Sequence, residues 1–135
     1  MKTDKSKYDK DGNLKNGLFK EYFRDGSIAC EGQHRNGNKT GEWKFYFKNG
    51  RLQSVGKYDD DVISGSWKWY RENENLFQTG SFKDGKKTGL WKRYHPNGKL
   101  MDEGEFTEDQ RTGEWKYYDT EGNLTKTKAH RAKEN

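Results

Sequence analysis

Glycine recurs at positions 17, 41, 65, 89 and 113, a step of 24 residues that never drifts. A spacing this regular excludes an ordinary globular chain, whose connections vary in length. It marks one supersecondary unit copied about five times and stacked, so that neighbours bury what a single copy cannot. With the leading glycine as position 1, position 3 reads Phe19, Trp43, Trp67, Trp91, Trp115. Position 4 reads Lys20, Lys44, Lys68, Lys92, Lys116, and position 6 reads Tyr22, Tyr46, Tyr70, Tyr94, Tyr118. Position 12 is Ile28, Leu52, Leu76, Leu100, Leu124. Position 16 is Gly32, Gly56, Gly80, Gly104 and then Lys128, and position 18 is His34, Tyr58, Phe82, Phe106 and His130. Departures gather at the ends and in the third copy; atypical ends are expected of terminal copies that face solvent.

Each copy reads as a β-hairpin. Its first strand is rich in aromatic residues, as in Glu42-Trp43-Lys44-Phe45-Tyr46-Phe47, and these favour a pleated, half-buried surface. Asp25-Gly26, Asn49-Gly50, Asn97-Gly98 and Glu121-Gly122 mark the turn, with Glu74-Asn75 standing in for it in the third copy; Asn-Gly between two such runs is a strong hairpin signal. A second strand covers positions 11 to about 18. A polar turn such as Lys83-Asp84-Gly85-Lys86-Lys87-Thr88 then leads into the next copy.

Two registers are open. A two-residue turn on Asn49-Gly50 sets Trp43 opposite Gly56, the aromatic covering bare backbone. A three-residue loop, a type I turn plus a G1 bulge, sets Tyr46 opposite Leu52. Pro96 and Glu121 favour the second, because proline suits the second residue of a type I turn and Glu is a poor choice for the positive φ of a type I′ turn. A shift of one residue exchanges the two faces, so the face that carries the Trp column follows from the register.

Ile, Leu, Val and Phe are only about one residue in eight, and mean hydropathy is −1.51. A composition so poor in aliphatics points toward disorder. Against that, aromatics make up 15% of the chain and fall in register, and each can bury about 150–250 Å². The expected fold is all-β: an elongated antiparallel sheet of about five stacked 24-residue hairpins whose core is a strip of Trp, Tyr, Phe and Leu. Ten strands at about 4.8 Å each give a width on the order of 48 Å.

The expected organisation is a lead-in over 1–10, a repeat domain over 11–128 and a flexible basic tail over 129–135. The segment Met1 to Tyr8 carries four charged residues and no apolar core, so neither a signal peptide nor a membrane span is expected. A single cysteine, Cys30, rules out an intramolecular disulfide and fits a reducing, cytoplasmic setting.

The run Gly-Glu-Trp-Lys-Phe-Tyr-Phe-Lys-Asn-Gly-Arg-Leu over 41–52, followed by Gly56-Lys57-Tyr58, resembles the bacterial variant of the MORN repeat. The pattern returns at Gly89-Leu90-Trp91-Lys92, with Tyr94, Asn97-Gly98-Lys99-Leu100 and Gly104-Glu105-Phe106, and the resemblance extends from about Asp11 to Lys128. It implies stacked antiparallel hairpins, the arrangement the residues indicate on their own. Bacterial proteins made only of this variant are often classed with an antitoxin family of toxin–antitoxin systems. MORN repeats elsewhere act as scaffolds and have been proposed to bind acidic phospholipids. The family brings no catalytic residues, and a repeat specifies a fold rather than a function.

The function expected is therefore non-enzymatic, with no cofactor. Position 5 varies (Glu21, Phe45, Trp69, Arg93, Tyr117), and so does position 7 (Phe23, Phe47, Arg71, His95, Asp119), although the skeleton around them repeats. The two positions point to the same side of a strand. Phe45, Phe47, Trp69, Arg71, Arg93 and Tyr117 form an expected protein-binding patch with the Trp/Tyr/Arg enrichment of an interface. Steric masking of a partner, as by an antitoxin or immunity protein, is the first functional reading.

The second is an anionic-surface binder, for acidic lipid or nucleic acid, through the ladder Lys20, Lys44, Lys68, Lys92 and Lys116. Rungs two strands apart lie roughly 9.6 Å from one another. Net charge is only +5, however, with 27 basic against 22 acidic residues, and lysines between aromatics also keep a strand soluble. His34, His95 and His130 lie in different copies and Cys30 has no partner at ligand spacing, so no metal site is expected. Asp59-Asp60-Asp61 lacks the glycine and terminal Glu of a Ca²⁺ loop and reads as a solvated turn. Unprotected edge strands also invite a homodimer.

Overall fold

The computed structural model describes residues 5–131. Among the described residues ten strands follow one another: β1 (Gly17–Tyr22), β2 (Ile28–Arg35), β3 (Asn38–Tyr46), β4 (Leu52–Asp59), β5 (Val62–Tyr70), β6 (Leu76–Lys83), β7 (Lys86–Tyr94), β8 (Leu100–Thr107), β9 (Gln110–Tyr118) and β10 (Leu124–His130). They pair in that order into a single antiparallel sheet. Ahead of β1, a 3-10 turn at Lys5–Lys7 precedes an isolated bridge between Tyr8 and Leu14. The last strand enters the expected tail: Ala129 pairs with Glu114 and His130 with Gly113. The rest of that tail over 132–135, like residues 1–4 of the lead-in, lies outside the described residues. Among the described residues no helix is long and apolar enough to cross a membrane.

Both proposed registers are present in each hairpin. Tyr46 pairs with Leu52, as the bulged turn requires, and Trp43 pairs with Gly56, as the two-residue turn requires. The ladder shifts once more between Phe45 and Tyr46, where Gln53 is the extra residue, and this second shift reconciles the two. At the turn, Phe47 N–H donates to Arg51 O and Gly50 N–H donates to Phe47 O, with Gly50 at φ +85°. The Asn49 side chain accepts the Arg51 N–H at 2.9 Å, the Asx geometry that makes Asn and Asp good turn residues.

The two-residue turns lie instead between copies. Asn36-Gly37, Asp60-Asp61, Asp84-Gly85 and Glu108-Asp109 all have positive φ at both residues, as a type I′ turn demands. Asp59-Asp60-Asp61 is therefore the strand end and turn between β4 and β5. Asp60 pairs with Arg35 at 3.0 Å and Asp61 with Lys7 at 2.7 Å.

The 24-residue glycine has a backbone cause. Opposite the single Gly32, β3 places three residues, Gly41, Glu42 and Trp43. The strand bends there with Gly41 at φ +67°, and Gly65, Gly89 and Gly113 repeat the bend at +66°, +70° and +71°. A bulge with a left-handed residue favours glycine at that point.

The bend lowers the Trp ring onto the preceding strand. Trp43, Trp67, Trp91 and Trp115 are 1–4% exposed and form most of the core. A Cβ added to Gly32, Gly56, Gly80 or Gly104 would overlap the indole of Trp43, Trp67, Trp91 or Trp115 respectively. This corrects the expectation that Trp43 covers Gly56: Trp43 is paired with Gly56 but lies on Gly32 of the preceding copy, and Trp67 covers Gly56. Indole N–H groups follow the same route, donating to Gln33 O (3.0 Å), Lys57 O (3.2 Å) and Glu105 O (3.2 Å), while Trp91 donates to Thr88 O (3.2 Å). Each Trp is thus a joint between copies. At about 150–250 Å² per ring, its burial contributes on the order of 4–6 kcal/mol before ordering costs.

Candidate functional site

Register decides which variable residues meet. Glu21 pairs with Cys30, Cys30 with Phe45, Phe45 with Ser54, and Ser54 with Trp69. Trp69 pairs with Gln78, Gln78 with Arg93, Arg93 with Asp102, Asp102 with Tyr117, and Tyr117 with Lys126. Positions 5 and 14 therefore alternate in one unbroken line across all ten strands. Every residue in that line differs from its counterparts in other copies, while the glycines and Trp beside it repeat. Four of the expected binding residues, Phe45, Trp69, Arg93 and Tyr117, lie in this line. Phe47 and Arg71 do not; they sit beyond the strand ends in the turns. There Arg71 donates to Tyr94 O at 3.0 Å, its guanidinium lying over the Phe77 ring, and the corresponding His95 Nε2 lies 2.9 Å from Tyr118 O. In the third and fourth copies, position 7 ties one copy to the next.

The line runs along the face that carries the Trp rings. Trp43, Phe45, Trp67, Trp69 and Trp91 form a continuous tilted stack, with centroids 5.6–6.3 Å apart and planes within 26–31°. Tyr58, Phe82 and Phe106 meet the Trp rings edge-on. Phe45, Trp69 and Tyr117 are half-buried in this arrangement.

A row of cations lies over these rings. Lys15 Nζ is 4.2 Å from the Phe19 centroid, and Lys39 Nζ is 5.1–5.8 Å from Trp43, Phe45 and Tyr58. Lys87 Nζ is 5.0 Å from both Trp91 and Phe106, and Arg111 Cζ is 4.7 Å from Trp115. All occupy the position two residues before the leading glycine, with Ile63 at that place in the third copy. Two of them have their backbone clamped by the acidic residue of the following inter-copy turn: the Lys39 and Lys87 N–H groups donate to Asp61 Oδ1 (2.7 Å) and Asp109 Oδ1 (2.6 Å). Sequence reasoning missed this row and position 14. The signals were present: Lys or Arg two residues ahead of glycine in four of five places, and a column reading Cys30, Ser54, Gln78, Asp102, Lys126.

Asp102 is the most deeply buried acid in the line, at 1% exposed. Arg93 Nε lies 3.1 Å from each carboxylate oxygen, and Arg93 Nη2 also donates to Asp102 Oδ2. This fork raises the Arg93 pKa above its ordinary value, hydrogen bonding outweighing the opposing effect of burial. At the other end, Cys30 Sγ lies 3.8 Å from Glu21 Oε2, and burial followed by that carboxylate pushes the thiol up. Such a thiol is less nucleophilic than an ordinary one. Among the described residues, no group of three or more His, Cys, Asp or Glu side chains is placed to hold a metal ion.

The lysine ladder lies on the opposite face, interleaved with acids. Lys20 and Lys44 are both paired opposite Glu31, and Lys92 and Lys116 both opposite Glu103; Lys68 lies between Val55 and Thr79. Tyr118 Oη donates to Glu103 at 3.3 Å on the same face.

The five copies match the MORN repeat variant family at residues 15–36, 39–60, 64–84, 87–108 and 111–128. The chain belongs to that family. No curated protein matches this MORN repeat chain. Among solved structures, it is similar to a mutant of S. aureus TarM in complex with Fondaparinux, alpha-GlcNAc-glycerol and UDP, at TM-score 0.45 and 9% identity, over 71% of this chain and 19% of that one. It is also similar to a GtfA/B complex bound to UDP and GlcNAc, at TM-score 0.33 and 12% identity, over 83% of this chain and 23% of that one. The MORN repeat chain thus spans about a fifth of the length of each.

Proposed function

We propose that this chain is a non-enzymatic, protein-binding repeat module that masks a partner with its ring face, in the manner of an antitoxin or immunity protein. The observation that carries this reading is the line of positions 5 and 14. It is a contiguous set of residues that the fold does not dictate, buried at Cys30, Ser54 and Asp102 and half-buried at Phe45, Trp69, Arg93 and Tyr117, and the last three are residue types that dominate binding at interfaces. Its Phe45 and Trp69 rings each stack between two of the core Trp rings. Their faces are occupied, which weighs against nucleic-acid bases as the ligand, since single strands are held by stacking on free rings. The Glu31 and Glu103 carboxylates within the lysine ladder weigh against a phosphate-bearing surface as the ligand of the opposite face. The lone Cys30 fits a reducing compartment such as the cytoplasm.

The test is affinity capture from the native cell with identification by mass spectrometry, using the wild type, Trp69→Ser, Tyr117→Ala and Lys68→Glu, each checked for retained amide dispersion by NMR. A stoichiometric protein partner is expected. The first two variants should weaken its binding by about tenfold or more, and Lys68→Glu, on the other face, should leave it unchanged. Capture that survives both ring-face changes in folded protein removes the line as the contact surface.

A further inference from the structure

We infer that the cleft on the ring face between the third and fifth copies binds a carboxylate side chain of the protein partner, an inference that rests on the binding role proposed above. The cleft encloses about 130 Å³, with Arg93, Lys87 and Arg111 on its walls and the Trp91, Phe106 and Trp115 rings beneath. Its one wall carboxylate, Asp102, is buried and gives both oxygens to Arg93. Asp102 therefore compensates Arg93 alone.

Lys87 and Arg111 have no ion-pair partner among the described residues. Nearby Asp109 accepts the Lys87 backbone N–H at the turn, outside the residues that line the cleft. Two uncompensated cations over aromatic rings, beside a fixed guanidinium, form a site of net charge +2. The equivalent cavity near the first copy holds Lys7, Lys15 and Lys39, but it already contains Glu21 and Asp61. The third copy has Ile63 where a cation would stand.

The chemistry of the walls selects the anion. Cations held above apolar rings suit a group with a charged tip and a hydrocarbon stem. A glutamate side chain has that shape: a short stem entering the cleft, with its carboxylate between Lys87 and Arg111. The site continues along the same line into Trp69 on one side and Tyr117 on the other, so the acid is set among residues that meet aromatic neighbours. That pattern belongs to a polypeptide rather than to a free phosphate or a lipid headgroup. Arg93 positions the site and is committed to Asp102; replacing it would leave a buried carboxylate unpaired.

The probe is N-acetylglutamate methylamide, titrated into ¹⁵N-labelled protein while the indole N–H resonances of Trp91 and Trp115 are followed. Saturable millimolar shifts are expected, about tenfold weaker with the glutamine counterpart, because charge-assisted contacts carry the binding. This comparison uses the unaltered protein and so does not depend on any variant folding. Lys87→Gln with Arg111→Gln should abolish the shifts, and Lys87→Arg with Arg111→Lys should keep them. Equal response to the glutamine probe, or shifts that survive the double Gln change, overturns the carboxylate site. Inorganic phosphate binding more tightly than the glutamate probe overturns it in favour of a phosphate ligand. Partner capture separates the two proposals. If the double Gln variant captures normally while Trp69→Ser does not, the binding line stands and the carboxylate cleft falls; if neither change affects capture, the line falls.

Discussion

His34 occupies position 18, where the three middle copies place Tyr58, Phe82 and Phe106. It does the same packing work, edge-on to Phe19 at 4.9 Å and to Trp43 at 5.0 Å. Being only 7% exposed, it leaves Nδ1 buried without a hydrogen-bond partner. Burial, and then the Lys15 and Lys39 ammonium groups, hold its pKa below the ordinary value, opposed by Asp61 and Glu21. The folded chain therefore keeps this imidazole neutral, while the unfolded chain protonates it near the ordinary value of about 6.5. The unfolded state binds protons first as pH falls. The stability this group contributes is thus present above about pH 6.5 and is lost as pH drops toward the depressed folded value. His34→Phe keeps the ring, removes the orphaned nitrogen and should stabilise the chain by about 1–2 kcal/mol near neutral pH. It should also flatten the pH dependence between about 7 and 5. Urea melts of both proteins across that range check it; an unchanged slope assigns the dependence elsewhere. A steeper loss below the usual carboxylate range should remain in both proteins. Burial works against Asp61, but hydrogen bonds from Lys7 and from the Lys39 backbone hold its carboxyl below the ordinary value.

At the scale of the hairpin, the chain uses two turns with different jobs. The turn inside each copy needs one left-handed residue, which is glycine in four copies and Glu74, at φ +76°, in the third. An L-residue there costs roughly 1–2 kcal/mol. The Glu74 ion pair with Arg51, at 3.7 Å between largely exposed groups, returns little of that. Glu74→Gly should therefore stabilise the chain by about 1 kcal/mol, read as a higher urea midpoint at unchanged slope; a lower midpoint would show that the ion pair outweighs the backbone strain. Much of the hairpin was legible from residues alone. Asn49-Gly50 and its counterparts located the turns, and Pro96 and Glu121 pointed to the bulged loop. The second register shift was not legible. Its extra residue occupies position 13, which reads Ala29, Gln53, Phe77, Met101 and Thr125 and has no shared chemistry. For the same reason the sequence marked position 5 as variable but did not bring it beside position 14. That neighbourhood exists only once the strand pairing is known, so Asp102 and the cations above the Trp rings escaped notice, and Arg71 was drawn into a patch it does not join.

Across the whole molecule the two faces divide the charge. The ladder face alternates lysine with Glu31 and Glu103, whereas the ring face sets Lys39, Lys87 and Arg111 over aromatics. Along the sheet the strand order is sequential, and each strand pairs through its backbone only with its neighbours. Stability in such a one-dimensional array is a sum of copies and joints, so a fault should matter according to where it falls. Gly80→Ala forces a Cβ into the Trp91 indole and damages the joint between the third and fourth copies. Gly32→Ala makes the same chemical change at the joint between the first and second. Each should cost about 1–3 kcal/mol or more locally, as overpacking does. The central change divides the array into two comparable parts that no longer support each other, and its urea unfolding should broaden or separate into two steps. The end change loosens one copy and leaves a single, slightly earlier transition over the rest. Amide exchange should follow the same division: loss of protection on both sides of Gly80 in the first case, and loss confined to β1 and β2 in the second. Identical unfolding curves for the two variants would mean that the sheet melts as one indivisible unit, and that the Trp–Gly contacts are not its joints.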